Sequence, residues 1–368
     1  MVTSKGAGLA VPDWPNSFGY NMFAFPVSQW IGGIFYEHSH RLVATCLGVL
    51  VVALTRWLGG SRSRFPLAII GVLELVGGLV LLKLAPNLEG AGHFLSGIGG
   101  VVLLAAMVWA RNEPAAKPLP LLGWIAFGGV QIQGLLGGLR VVLYKDEIGI
   151  FHATLAQLFF VLMCAIVLLS SKWWEAKATG IKRQVSGTVY LLLAATTALV
   201  FGQLIIGATM RHQHAGLAIP DFPLAYGKLW PATDSASVEL YNQQRLEVVS
   251  VKPITAFQIG LQLVHRIVAV SILVMVAASA WAVRKTPLNR WGWLWLGMIL
   301  AQATLGAATI LTDKAADVAT AHVLLGALSL ATGAMLTLVA TRETVAAPAT
   351  ENTKELVGLL TSAAAVTK

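Results

Sequence analysis

The sequence predicts an all-α integral membrane protein built as two tandem four-helix-bundle units, related by a parallel internal repeat. Only 12% of its 368 residues are charged and 56% are hydrophobic, whereas soluble domains carry about 25% charged residues. Stretches such as 188–209, 254–283 and 318–341 are long and apolar enough to cross a bilayer. The tandem arrangement is indicated by a loop written twice, GAGLAVPDWP at 6–15 and HAGLAIPDFP at 214–223.

About nine stretches are expected to span the membrane, and the loops between them differ in charge. Lys and Arg follow every odd-numbered span, whereas the intervening loops are balanced or acidic. By the positive-inside rule, the N-terminus and the 210–253 loop lie outside and the C-terminus is cytoplasmic. The net charge of +9 therefore reflects cytoplasmic loops, and no nucleic-acid partner is expected. The nine stretches are 30–57, 66–85, 91–110, 119–140, 150–171, 187–209, 254–283, 291–311 and 318–341.

The repeat divides the chain into two units of the same predicted direction. After each loop copy come EHSHRLVAT or LVHRIVAV, then QGLLGG or QATLGA, then IFHATLAQL or TAHVLLGAL. In the second half a whole span precedes the loop, but in the first half the loop begins at residue 6. We therefore expect that a first helix is missing, either through a missed upstream start, which we favour, or because this protein dispenses with it. The expected domains are 1–171, with an extra hairpin at about 59–117, a linker at 172–186, a second unit at 187–341 and a disordered tail at 342–368.

Four histidines occupy matched positions in the two halves, one on each of four spans: His40, His152, His265 and His322. Ionisable residues at membrane depth are costly and tend to be functional. Two imidazoles facing each other across a helical bundle are typical of haem iron with both axial positions filled. Two alternatives remain open at this point. Each histidine could be a hydrogen-bonded packing residue, or the metal could be zinc, which prefers a tetrahedral ligand cluster.

The residues beside these histidines add detail to the haem hypothesis. Arg41 and Arg266 each follow a candidate ligand, and they could pair with haem propionates, bind the loops above or extend to lipid headgroups. Glu37 lies three residues before His40, whereas Gln262 lies three before His265. A buried carboxylate can take part in proton transfer and an amide cannot. This asymmetry predicts a reactive first half and a cofactor-holding second half.

Weaker signals come from a glutamine–glycine motif and from the remaining histidines. Gln-x-x-x-Gly occurs on three spans, as Gln133–Gly137, Gln203–Gly207 and Gln302–Gly306. Small residues there allow close helix packing or room for a flat macrocycle. The other histidines have smaller claims to a direct role: His38, His93, His212 and His214.

In combination, EHSHR, LVHR, IFHATLAQLFF and the paired GLAVPDWP and GLAIPDFP loops resemble the haem A synthase family of oxidase-assembly enzymes. The resemblance covers about residues 2–56 and 118–340. It implies eight helices in two units and oxidation of a ring methyl of haem O, through a hydroxymethyl stage, to the formyl group of haem A. It implies catalytic roles for Glu37, His40 and His152. In the second unit, it implies that His265 and His322 ligate haem B.

The same resemblance implies a bacterial cytoplasmic-membrane location and a set of partners. These are haem O, membrane lipid, a haem O synthase and an electron-transfer protein, with a homo-oligomer left open. Two other functions are weighed beside it. One is a bis-His b-type cytochrome of the same fold without synthase activity, which has no need of the Glu37 asymmetry. The other is a transporter or haem-handling protein, which would predict broken helices or a polar midplane site.

Overall fold

Helix boundaries follow the apolar stretches closely. In the computed structural model, residues 6–108, 112–179, 185–248 and 253–342 are described. The predicted tail after residue 342 and the basic residues Arg111, Lys182 and Arg183 lie outside them. The α-helices of the described residues are α1 (Gly33–Gly59), α2 (Arg64–Leu84), α3 (Glu89–Met107), α4 (Leu119–Leu143), α5 (Asp146–Leu169), α6 (Lys172–Thr179), α7 (Gly187–His212), α8 (Ser235–Val248), α9 (Ala256–Ala282), α10 (Asn289–Leu311) and α11 (Ala316–Arg342).

Nine of these helices, all except α6 and α8, are long and apolar enough to cross a membrane. They form eight continuous stretches because α1 and α2 are joined by a tight turn at Gly60–Ser63, and the mean hydropathy of the stretches is 1.4 to 2.4. Each of the nine predicted spans corresponds to one helix, with ends that agree to within four residues. The protein is therefore an all-helical, multi-pass membrane protein.

Two short polar helices depart from the predicted loops. Helix α6 lies in the expected linker, and α8 lies in the long loop before α9. The first turn of α8 is capped by Asp234, whose carboxylate accepts hydrogen bonds from the backbone and hydroxyl of Ser237 at 3.0 and 2.7 Å. Asn242 exchanges two hydrogen bonds with the backbone of Ile254. Helix α8 is thus held by capping and tertiary hydrogen bonds, which a search for apolar periodicity does not detect.

The helices of the second half form a closed ring. Helix α7 packs against α9 and α11, and α10 packs against the same two helices on the opposite side. Fully buried Leu193, Val276 and Trp295 lie in the core between them. In the first half, α4 packs against both α1 and α5, and α5 also packs against α7 and α11. Helix α5 therefore connects the two halves.

The predicted hairpin is present as α2 and α3, which pack very closely through glycines. A Cβ atom at Gly71 would stand 2.9 Å from the backbone nitrogen of Leu103, and one at Gly92 would stand 3.0 Å from the carbonyl oxygen of Gly78. Real Cβ atoms rarely come so near to another backbone, so larger residues would separate the helices. The hairpin lies against α1 and α4.

Candidate functional site

The two copies of the repeated loop adopt the same conformation. We call residues 6–31 the first loop and residues 213–233 the second loop. The end of the helices where both loops lie is called the loop end. The Asp13 carboxylate accepts hydrogen bonds from the backbone of Phe18 and Gly19 at 2.7 and 2.8 Å. Asp221 accepts the equivalent pair in the second loop at 2.7 and 2.8 Å. Both copies also have a cis peptide bond before the second proline of the repeat.

The arginines beside the candidate ligands fasten these loops to the helices. Arg41 donates to the carbonyl oxygens of Val11, Asp13 and Asn16 at 2.6 to 2.9 Å. Arg266 donates to the carbonyl oxygens of Asp221 and Leu224, which occupy the positions of Asp13 and Asn16, at 2.7 and 2.8 Å. The sequence offered three roles for Arg41 and Arg266, and the hydrogen bonds in the structure are those with the loops.

Glu37 and Gln262 also hold the loops, through matched contacts. The Glu37 carboxylate, in a residue that is 4% exposed, accepts a hydrogen bond from the backbone nitrogen of Val11 at 3.0 Å. The Gln262 amide oxygen accepts the equivalent bond from Ile219 in the second loop. Glu37 differs in that it also forms a 2.8 Å ion pair with Arg41. Thus both side chains hold their loop by the same backbone contact, and they differ in charge.

Three of the four matched histidines lie against the glycine of a Gln-x-x-x-Gly motif. If a Cβ atom were added, it would stand 3.3 Å from the His152 ring at Gly137 and 3.5 Å from the His265 ring at Gly207. At Gly306 it would stand 3.1 Å from the ring of His322. The motif therefore makes room for an imidazole, a role that sequence reasoning, with its choice between helix packing and a macrocycle, missed.

The glutamines of the motif bind the histidine-bearing helices rather than the rings. Gln133 and Gln203 donate to the backbone oxygens of His152 and His265 at 2.9 and 2.8 Å. Among the described residues, the buried Nδ1 atoms of these two histidines have no hydrogen-bond partner. A purely structural histidine is normally hydrogen-bonded when buried. These rings therefore retain capacity to bind a ligand.

The structure brings the histidines together in two pairs. His40 lies close enough to His152 for a charge on one ring to act on the other, and His265 has the same relation to His322. No group of three or more His, Cys, Asp or Glu side chains in the described ranges could hold a metal ion. Two imidazoles per site suit an iron with two axial ligands better than they suit tetrahedral zinc.

His40 differs from the other three in its surroundings. Its side chain is exposed, whereas His152, His265 and His322 are partly buried. Helix α7 supplies the glycine beside His265, and α1 packs against α2, α3 and α4. The first site is therefore the more open of the two.

The remaining histidines have separate positions. His38 is fully buried on the opposite side of α1 and bonds to the Ser17 hydroxyl at 3.0 Å, between aromatic rings of the first loop. His93 lies 3.3 Å from Glu89, and His214 is exposed. His212 is buried at the loop end of α7, with its Nδ1 atom 3.7 Å from the Asp146 carboxylate of α5.

Sequence reasoning also missed a link between the inserted hairpin and the first loop. The Trp14 ring packs against Gly138 of α4 and stacks on Phe94 of α3 with ring centroids 5.1 Å apart. Its backbone carbonyl packs against Gly90. The only sequence signal was the aromatic residue within the repeated PDWP motif. The hairpin thus supports the loop above His40 and His152.

With this geometry in view, comparison with known proteins identifies the family. The family model described as cytochrome oxidase assembly protein, COX15-CtaA, matches residues 92–334. The chain belongs to this family. The matched range contains His152, His265 and His322, whereas Glu37 and His40 lie before its first residue.

Several curated proteins similar to this chain are named haem A synthase. A haem A synthase from Geobacillus kaustophilus is 27% identical over 245 residues, which is 64% of this chain and 69% of the relative. One from Halalkalibacterium halodurans is 24% identical over 253 residues, covering 65% and 74% of the two chains. One from Hyphomonas neptunium is 25% identical over 241 residues, or 63% of each chain.

Proposed function

We propose that this chain is a haem A synthase, a membrane oxidoreductase that converts a ring methyl of haem O to the formyl group of haem A for terminal oxidase biogenesis. The observation that carries this proposal is the pair of matched histidine sites, of which only one has a carboxylate. The family match and the names of the relatives support the same activity. The range matched by the family model contains His265 and His322 of the second pair and His152 of the first.

The finer arrangement is part of the proposal. The first unit, residues 1–171, takes haem O between His40 and His152, and the second unit, 187–341, holds haem B between His265 and His322. The loop end faces the outside of a bacterial cytoplasmic membrane, as the distribution of Lys and Arg indicates. A haem O synthase and an electron-transfer protein are the expected partners.

The residues of the second site fit a resident haem. The ring of His322 is oriented by a 3.1 Å hydrogen bond between its Nδ1 atom and the carbonyl of Gln302, which leaves Nε2 available for iron. Gly207 and Gly306 provide space on the two facing helices. When bound, haem B supplies one-electron transfer, while the protein orients it and excludes water.

In the first site, Glu37 is the group that distinguishes reaction from binding. Oxidation of a methyl to a formyl group releases protons and electrons, so the site needs a group that can carry protons. The Glu37 charge reaches His40, and its carboxylate is fixed by Val11 and Arg41. The second site has the amide of Gln262 in the same place, which holds the loop but cannot carry a proton.

The test is Glu37→Gln, with haem O supplied to the full chain in membranes and the extracted haems separated by chromatography. We expect the wild type to produce haem A, and the variant to keep its haem but lose formyl production. Gln262 shows that an amide at this position holds the loop, and Gln262→Glu serves as the matched control. A wild-type protein that binds haem without producing haem A would favour the b-type cytochrome. Full activity of Glu37→Gln would remove the carboxylate from the mechanism.

A further inference from the structure

Arg140 lies on α4, on the side of the helix that faces His152. Gln133, Gly137 and Arg140 are spaced by four and three residues, so they share one face of the helix. A Cβ atom at Gly8 of the first loop would stand 3.0 Å from both terminal nitrogens of Arg140. A Cβ atom at Gly149 of α5 would stand 2.9 Å from its Nε atom. The guanidinium is therefore enclosed by the loop and two helices.

The charged groups around Arg140 are mostly basic. The groups on which its charge acts include His40 and His152 of the first site, together with Arg211 and His212 at the end of α7. The nearby acid is Asp146, whose carboxylate lies 3.7 Å from the Nδ1 atom of His212. No hydrogen bond from the Arg140 guanidinium to a carboxylate or carbonyl is found within the described part of the chain. A partly buried cation without a hydrogen-bonded anion costs free energy, so an anion at this place would be stabilised.

Arg41 and Arg266 stand in contrast to this residue. The terminal nitrogens of their guanidinium groups donate to two or three backbone carbonyls each, and that of Arg41 also to Glu37, although the Nε atom of Arg266 is buried without a partner. Both are committed to holding the loops. A carboxylate on a ligand of the histidines would bind Arg140 more favourably than Arg41 or Arg266, because binding to Arg140 breaks no hydrogen bond to a loop carbonyl.

We propose that Arg140 binds a propionate carboxylate of the haem held by the histidine pair of the first half. This inference rests on the proposed function, since it takes a haem as the ligand of each pair. Propionates are the anionic groups that every haem carries, whatever its other substituents. Arg140 would therefore fix the orientation of the macrocycle in the first site and leave Arg41 to hold the first loop.

The experiment measures how strongly the first site prefers free carboxylates. The full chain, purified with its second site filled, is titrated with haem B and with the dimethyl ester of haem B, followed by the absorption of the added haem. We expect the wild type to bind the free acid more tightly and Arg140→Gln to lose about tenfold or more of that preference, as expected for a charge-assisted hydrogen bond. Arg140→Lys should restore part of it.

Controls separate this proposal from the function on which it rests. Lys145→Gln removes an exposed cation at the same end of the helices and should leave the preference unchanged. An intact spectrum of the haem in the second site shows that Arg140→Gln is folded. If the wild type binds neither compound, the proposed function fails. If it binds both equally, or if Arg140→Gln keeps the full preference, haem binding stands and the carboxylate site is overturned.

Discussion

Replacing Gly306 by Ala tests whether the glycines of the Gln-x-x-x-Gly motif exist to accommodate imidazole rings. The added methyl would stand 3.1 Å from the Cε1 atom of His322, which is 0.3 Å inside the 3.4 Å at which ordinary contact begins. His322 cannot move away freely, because its Nδ1 atom is hydrogen-bonded to the carbonyl of Gln302 at 3.1 Å. The ring must therefore turn, or the two helices must separate.

The size of the effect follows from these contacts. Overpacking of a filled interior costs about 1–3 kcal/mol, and loss of the hydrogen bond that orients the ring costs about 1 kcal/mol more. A graded series is expected, because Gly137 has its nearest ring atom at 3.3 Å and Gly207 at 3.5 Å. Gly306→Ala should perturb its histidine most, Gly137→Ala less and Gly207→Ala least.

The assay measures the haem-to-protein ratio of the purified full chain and the absorption spectrum of the haem in its second site. We expect Gly306→Ala to lose haem or shift its low-spin bands, while Gly207→Ala stays close to the wild type. Matched controls lie on the same two helices: Gly297 on α10 and Gly202 on α7 have open space where a Cβ would be. If Gly306→Ala and Gly297→Ala give the same spectrum, the glycine does not serve the histidine, and the reasoning fails.

Two further predictions concern the loops. Arg41→Met removes one partner of a buried ion pair and three backbone hydrogen bonds, so we expect a loss of about 3–5 kcal/mol and faster proteolysis within the first loop than Arg266→Met causes in the second; equal protection would contradict it. Burial raises the pKa of Tyr226 to about 12, above the value of about 10 in an unfolded chain. Its contribution to stability is therefore complete below pH 10 and lost as the pH rises through 12. In an ultraviolet titration, Tyr226→Phe should remove one phenol that ionises near pH 12, and loss of a phenol near pH 10 instead would refute this.

Long apolar helices and their order were predictable from sequence because burial in lipid requires a continuous apolar length. The repeated order of motifs also predicts which histidines belong together, and their roles as ligands stay a prediction. Helix α8 was not, because it depends on hydrogen bonds such as those between Asn242 and Ile254 rather than on apolar periodicity.

The partners of the charged residues were also beyond the sequence. Arg41 could have met a ligand or a loop, and the choice depends on carbonyls that are 25 to 30 residues away in the chain. Carbonyl positions are set by the folded backbone and leave no residue pattern. The glycines beside the rings likewise depend on how neighbouring helices are rotated, which a motif on one helix does not fix.

Arg41 and Arg266 hold the loops through backbone carbonyls, so this anchoring does not depend on the side chains of the residues that supply the carbonyls. Asn16 and Leu224 offer their carbonyls to equivalent guanidinium groups although one side chain is polar and the other apolar. Trp14 and Ser17 have side-chain contacts of their own, with Phe94 and with His38, and do not share this freedom. At a position such as that of Asn16 and Leu224, each loop can therefore carry a different side chain while its anchoring to the helix stays the same.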